Sequence, residues 1–142
     1  MKIRLVMLDK TRRAEIRALL DDYLGRIRHY AEVEVAEMPN SPAALRKLKT
    51  EGATTWVLLD AAGKQLTSQQ FARWIAEQRG RGIRELLFLC GDADGFPEEW
   101  RRKAQVKLSL STMTLPHELA RVVLVEQLYR AFTILSGHPY NK

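Results

Sequence analysis

TTWVLLDAAGKQLTSQQFARWIAEQRGRGIRELLFLC (residues 54–90) holds two uninterrupted apolar runs, TTWVLL and LLFLC, on either side of a helix-like segment. Short runs of large apolar residues bounded by turn signals read as strands buried on both faces. Between them Thr67 or Ser68 supplies an N-cap, Phe71, Trp74 and Ile75 fall at helical spacing, and Gly80 and Gly82 mark the stop. The first run is expected to end at Asp60 and the turn around Gly63. Strand, helix, strand in that order is the unit of a parallel sheet.

The same alternation continues in both directions. Towards the N-terminus, residues 3–8 read as a strand and residues 11–30 as a helix with Ile16, Leu19, Leu20, Tyr23, Leu24 and Ile27 on one stripe. Residues 31–38 set Val33 and Val35 against Glu32, Glu34 and Glu37, the pattern of a half-exposed strand. Ser41 followed by Pro42 opens a short helix expected to reach about Thr50. Towards the C-terminus, a glycine-bearing loop (residues 91–95) leads through Pro97 to a short amphipathic helix around Trp100, then a strand at residues 106–109. The longest helix is expected from Pro116 to about Ser136. Its apolar residues cover more than one stripe, so it needs cover on two sides: the sheet of its own domain and, as an expectation, a second copy of the chain.

The expected architecture is α/β, with a mostly parallel sheet and helices on both faces, over residues 1–142 as a single domain. Ligands in such sheets bind at the carboxyl ends of the strands. Here those ends are Leu59 with Asp60, Cys90 with Gly91, and the loop of residues 109–115.

Composition narrows the partners. Hydrophobic residues make up 46% and charged residues 28%, a globular balance. No apolar run approaches the roughly 20 residues needed to span a bilayer, and the start has no signal-peptide pattern, so a cytoplasmic location is expected. Cys90 is the only cysteine, which excludes an internal disulfide and argues against a zinc cluster. The net charge of +6 favours polyanionic partners. Its cations (Arg12, Arg13, Arg26, Arg28, Arg46, Lys47, Lys49, Arg101, Arg102, Lys103) are spread along the chain, suggesting a basic face on a folded body rather than a tail.

Single motifs carry less. GDADG (residues 91–95) permits close backbone approach to a ligand, but it is neither a dinucleotide fingerprint nor a P-loop, and an ordinary strand-to-helix turn reads equally well. Asp92 and Asp94 on one loop are better solvated than ligating, so no metal is expected. In residues 109–116, backbone groups can meet an adenine edge while Leu110, Met113 and Leu115 pack its faces. An ordinary connection fits that loop as well. His117 sits in a helix first turn, where the dipole disfavours its charged form, and reads as structural. The tail SGHPYNK ends the chain with His138 and Tyr140 around a proline, and histidine is the natural proton carrier near neutral pH. No nucleophile-elbow spacing links a serine, a histidine and an acid.

LSLSTMTLPHELARVVLVEQLYRAFTILSGHPYNK closely resembles the C-terminal third of the ribosomal RNA large subunit methyltransferase H family, SPOUT-class enzymes that methylate N3 of a pseudouridine in 23S rRNA. TLPH, RVVLVEQLYRA and HPY stand in the family's order and spacing. Upstream, DDYLGRI, EVAEMP, VLLDAAGK and the glycine loop fall where the family has counterparts, so the likeness spans the chain.

The resemblance implies a C-terminal trefoil knot, one of the few exceptions to the rule against knots. It implies S-adenosyl-L-methionine held by Leu59, Gly91, Leu110, Ser111, Thr112, Met113, Thr114 and Leu115. It also implies a homodimer in which the tail of one subunit completes the active site of the other, with 23S rRNA of the ribosome as substrate. Arg130, His138 and Tyr140 then take the catalytic roles: His138 as base, Tyr140 against the nucleobase, and Arg130 on a phosphate or carbonyl. Two departures stand out. Asp92 follows Gly91 where the family has a second glycine, and Asn141 follows Tyr140 where the family tail often has histidine. Two readings compete with the enzyme: a relative that binds RNA or ribosome without catalysis, and a flavodoxin-like module.

Overall fold

The computed structural model describes residues 1–50 and 52–140. Its elements run β1 (Lys2–Leu8), α1 (Ala14–Ile27), β2 (Glu32–Met38), α2 (Pro42–Arg46), β3 (Thr54–Gln65), α3 (Ser68–Gly80), β4 (Glu85–Cys90), α4 (Glu98–Lys103), β5 (Val106–Ser109) and α5 (His117–Ser136). The strands form one sheet in the order β2-β1-β4-β3-β5, every neighbouring pair parallel. The expected α/β architecture is present.

Side-chain alternation splits the interior in two. Ile3, Leu5 and Met7 of β1 point to a core built with α1, α3 and α5, while Val6 and Leu8 point to a smaller one under α2 and α4. β4 lies centrally and is buried at every position, which is why LLFLC has no polar alternation. β2 is an edge strand and keeps Glu32, Glu34 and Glu37 outside, which blunts the edge.

Boundaries differ from expectation where distant groups intervene. α1 begins at Ala14 rather than Thr11, because the Thr11 amide donates to Glu37 Oε2 and its hydroxyl accepts from Arg121. On the expected stripe of α1, Ile16, Leu20, Leu24 and Ile27 are buried, whereas Leu19 lies open to solvent. α2 stops at Arg46 instead of Thr50; beyond it the Arg4 guanidinium takes the Lys49 carbonyl at 2.7 Å and draws the chain to the lower edge of the sheet.

β3 departs most. The expected strand end at Asp60 is a bulge: Leu59 and Lys64 both pair with Leu108, and the strand resumes to Gln65. Asp60 Oδ1 closes the excursion by accepting the Ala62 amide at 3.0 Å. Gly63 serves close approach here rather than a turn, since a Cβ there would stand 2.6 Å from the Lys107 carbonyl carbon and oxygen.

α3 is capped as read. Thr67 accepts the Gln70 amide and the Gln70 side chain takes the Thr67 amide, a reciprocal capping box. α5 packs Leu124, Leu128 and Phe132 into the larger core between α1 and α3, and leaves Leu119 and Ile134 about two-fifths exposed on its outer side.

Candidate active site

The carboxyl ends of β3 and β4 and the loop after β5 meet at the upper edge of the sheet around a cavity of about 260 Å³. That lies just below the range of roughly 300–1,000 Å³ usual for ligand pockets, so it suits a compact, folded ligand with part of its bulk at the mouth. Of the residues expected to hold a cofactor, Leu59, Gly91, Leu110, Ser111, Met113, Thr114 and Leu115 line it. Thr112 belongs to the same loop but is exposed and outside the wall. The loop is shaped from within: Ser109 Oγ donates to the Ser111 carbonyl at 3.1 Å, and Ser111 Oγ accepts the Met113 amide at 2.9 Å. Met113 is 76% exposed, an apolar side chain held at the rim with little cover of its own.

Gly91 is a cradle. A Cβ there would stand 3.1 Å from the Gly95 carbonyl and 3.1–3.2 Å from the Phe96 ring, so a side chain would push the loop open by a few tenths of an ångström. The polar rim joins groups whose mutual contacts the sequence does not announce. Arg101 Nη1 pairs with Asp60 Oδ2 at 2.7 Å. The Ala62 amide, with help from Arg101, holds the Asp60 carboxyl below the usual range. Asp92 also lines the cavity; its Oδ1 accepts Asn40 Nδ2 at 3.0 Å and the Asp94 amide at 2.8 Å. Cys90 lies behind Gly91 fully buried, and burial pushes its thiol up to about 12, so it is no nucleophile at neutral pH.

The first turns of α5 close the cavity with His117 and Ala120. Behind them Arg121 is wholly buried, an arginine inside the apolar run RVVLV that hydrophobic patterning passes over. Its Nη2 donates to the carbonyls of Leu8 (2.6 Å) and Asp9 (3.1 Å), and its Nη1 to Thr11 Oγ1 (2.8 Å). Glu118 Oε1 accepts the amides of Arg12 and Arg13 at 3.2 and 3.1 Å. Burial pushes the Glu118 carboxyl up, but those two amides together with nearby positive charge, Arg121 included, outweigh it and leave it below its ordinary range.

Arg130, His138 and Tyr140 come together elsewhere, at the far end of α5. The Arg130 guanidinium sits 4.6 Å from the Tyr140 ring centre and pairs with Glu126 Oε2 at 2.6 Å, which also accepts the Tyr140 hydroxyl at 3.0 Å. Tyr140 is further fixed edge-on to Tyr129, ring centres 4.8 Å apart, and burial pushes its hydroxyl above the usual phenol range. His138 is exposed, its amide bonded to the Thr133 carbonyl at 3.0 Å. Glu126 organises this group and was not singled out; its only sequence signal is the four-residue spacing to Arg130. At 1.5 Å per residue, Arg130 lies roughly 15 Å and the helix end roughly 24 Å along α5 from Ala120. The tail and the cavity of one chain therefore do not meet. Asn141 lies outside the described residues.

Fold and cavity define a parallel α/β domain with a cavity at the carboxyl edge of its sheet. The strand order is not the 2-1-3-4-5 of flavodoxin-like sheets, which removes that reading. The family described as "Predicted SPOUT methyltransferase" matches residues 1–141. Over 143 residues the chain is 43% identical to Ribosomal RNA large subunit methyltransferase H of Koribacter versatilis, covering 99% of this chain and 98% of that one. It is 40% identical over 152 residues to the protein of the same name from Geobacter sulfurreducens, covering 99% of each.

Solved structures share the fold. A probable methylase family protein from Haemophilus influenzae superposes with a TM-score of 0.60 at 13% identity, covering 99% of this chain and 70% of that one. The SpoU methyltransferase AviRb from Streptomyces viridochromogenes, in complex with the cofactor AdoMet, does so with a TM-score of 0.51 at 14% identity, covering 96% and 61%. The chain belongs to the SPOUT methyltransferases and, within them, to the ribosomal RNA large subunit methyltransferase H family.

Proposed function

We propose that this protein transfers a methyl group from S-adenosyl-L-methionine to N3 of a pseudouridine in 23S rRNA of the ribosome, as a cytoplasmic homodimer. The observation that carries this reading is the cavity built from the ends of β3 and β4 and the loop after β5, in a chain of this family. Its donor set fits the cofactor. The bare Gly91 backbone and the loop of residues 110–115 offer amides and carbonyls to an adenine edge, and Leu59, Leu110 and Leu115 cover its faces. When bound, the cofactor supplies a methyl already activated on a sulfonium, so the protein's work is chiefly positioning.

The tail supplies the rest. His138 accepts the N3 proton, Tyr140 packs against the base, and Arg130 holds a phosphate or carbonyl. Because α5 separates these groups from the cavity of their own chain, they serve the cavity of a second copy. The exposed Leu119 and Ile134 on the outer side of α5 support that pairing. We further assign the C-terminal third to a trefoil knot. Its support is that β5 pairs beside β3 while α4 and α5 cover opposite faces of the sheet, with residues 110–115 joining β5 to α5.

Mass spectrometry of 23S rRNA from cells lacking the protein is expected to show one missing methyl on pseudouridine, restored by the wild-type gene. Unchanged rRNA would remove the proposal.

Asp92 sharpens cofactor recognition. It presents a carboxylate to the cavity whose protein partners are Asn40 and the Asp94 amide, while the nearby Arg101 is engaged by Asp60. A cationic methyl donor gains from that charge and its neutral thioether product does not. Asp92→Asn, which keeps the acceptor for Asn40, is expected to weaken S-adenosyl-L-methionine binding about tenfold and leave S-adenosylhomocysteine within twofold, about 1.4 kcal/mol of discrimination. Calorimetry on both ligands reads this; equal changes would assign Asp92 to loop structure alone.

A further inference from the structure

The cations of this chain are not equivalent. In and just before α1 four of them are matched by carboxylates, Arg12 with Asp9, Arg13 with Glu15, Arg17 with Glu37 and Arg26 with Asp22, while Arg28 at its C-cap stands alone among the described residues. On the opposite side of the sheet, α2 and α4 pack together over the smaller core and carry a different balance. Lys47, Arg102, Lys103 and Lys107 are exposed there and make no ion pair among the described residues. Arg46 has only a distant contact with Glu99 at 3.9 Å. Glu98 and Asp94 are the other exposed acids nearby. Lys107 belongs to this side because its neighbour Leu108 faces the larger core, and its charge reaches Asp60.

This band is continuous with the cavity. Arg101, in the middle of α4, lines the mouth through its pair with Asp60, and α4 then runs away from the mouth towards Lys103, whose ammonium lies 5.8 Å from the Trp56 ring centre. Exposed, uncompensated cations keep their counterion atmosphere until a polyanion displaces it, and RNA phosphates do so at regular spacing.

We infer that the α2–α4 face, centred on Arg46, Lys47, Arg102, Lys103 and Lys107, is the surface on which the phosphate backbone of the substrate RNA docks, leading the target base to the cavity mouth at Arg101. The inference rests on the RNA-methylating reading above.

The test compares Arg102→Gln/Lys103→Gln with Arg73→Gln, an exposed cation on α3 across the sheet. Affinity for 23S rRNA and for large ribosomal subunits is measured across a potassium chloride series, with S-adenosyl-L-methionine binding as the folding control. The double variant is expected to flatten the slope of log affinity against log salt by about 1.5, the share of two phosphate contacts, and to bind about tenfold or more weakly at physiological salt. Arg73→Gln and cofactor binding stay at the wild-type values.

A wild-type slope in the double variant overturns the docking face while leaving the RNA reading intact. Competition by polyglutamate as strong as by RNA would reassign the face to an acidic protein and overturn it too. Wild-type protein that binds neither RNA nor subunits would instead sink the RNA-methylating reading itself.

Discussion

Cutting the chain after Ser136 lowers methyl transfer by about 10²- to 10⁴-fold, the range a positioned proton-transfer group supplies, and leaves S-adenosyl-L-methionine affinity within about twofold. The split follows from geometry. The cavity is walled by β3, β4, the loop after β5 and the first turns of α5, none of which lies beyond Ala120. His138 and Tyr140 lie at the other end of a 20-residue helix. The cavity and the tail are thus separable parts of one chain, and the proposed dimer is what would bring them together.

That joining has a test of its own. A subunit without its tail is mixed with a full-length subunit whose cavity is blocked by Gly91→Val, the added side chain crowding the Gly95 carbonyl and Phe96. Each parent is inactive. If tails act across the dimer, random exchange restores roughly a quarter of wild-type activity, because half the dimers are mixed and each has one complete site. If tails act within their own chain, the mixture stays dead. Circular dichroism and cofactor titration of each parent show whether Gly91→Val remains folded and blocked.

How much of this was legible depends on how local each cause is. TTWVLL and LLFLC read as buried strands because every neighbour in the sheet asks the same of them. The N-cap, read as Thr67 or Ser68, is Thr67, and the capping box that it forms with Gln70 is contained within four residues. The three strand ends chosen for a site by sheet geometry do converge on one cavity. What escaped depended on residues far away in sequence. Asp60 is met by Arg101, Asp92 by Asn40, and Lys49 by Arg4, each across 41 or more positions. The bulge in β3 exists because β5 lies against Gly63, which residues 60–65 alone do not announce. Separation of the tail from the cavity was a matter of helix length, and only the sheet's placement of Ala120 turned length into distance.

Arg121 carries the largest expected effect on stability. A fully buried guanidinium costs several kcal/mol of lost hydration and is tolerated only when its surroundings are arranged for it. Here the carbonyls of Leu8 and Asp9 and the Thr11 hydroxyl accept from both Nη atoms while Nε is left without a partner, and the carboxyls of Asp9 and Glu118 feel its charge. Asp9 holds a left-handed backbone (φ 68°), a strained turn that presents its carbonyl to this cation. Arg121→Met keeps bulk but leaves these acceptors unpaired and the carboxyls without their counter-charge, so a loss of about 3–5 kcal/mol is expected in urea unfolding.

The acid limb adds a second readout. Glu118 has a lowered folded-state pKa, so its contribution is present above its unfolded value near 4.5 and is lost as pH falls through the folded one. Without Arg121 that folded value rises, the contribution shrinks, and acid unfolding moves to higher pH. Arg121→Met/Glu118→Leu is expected to lose more than Arg121→Met alone, since it also leaves the Arg12 and Arg13 amides without their acceptor. His117 and Ala120 ride on the same turn of α5, so cofactor affinity falls along with stability in Arg121→Met. A midpoint shift worth less than 1 kcal/mol, or cofactor binding unmoved while stability drops, would mean that the tie between β1 and α5 does not set the cavity wall.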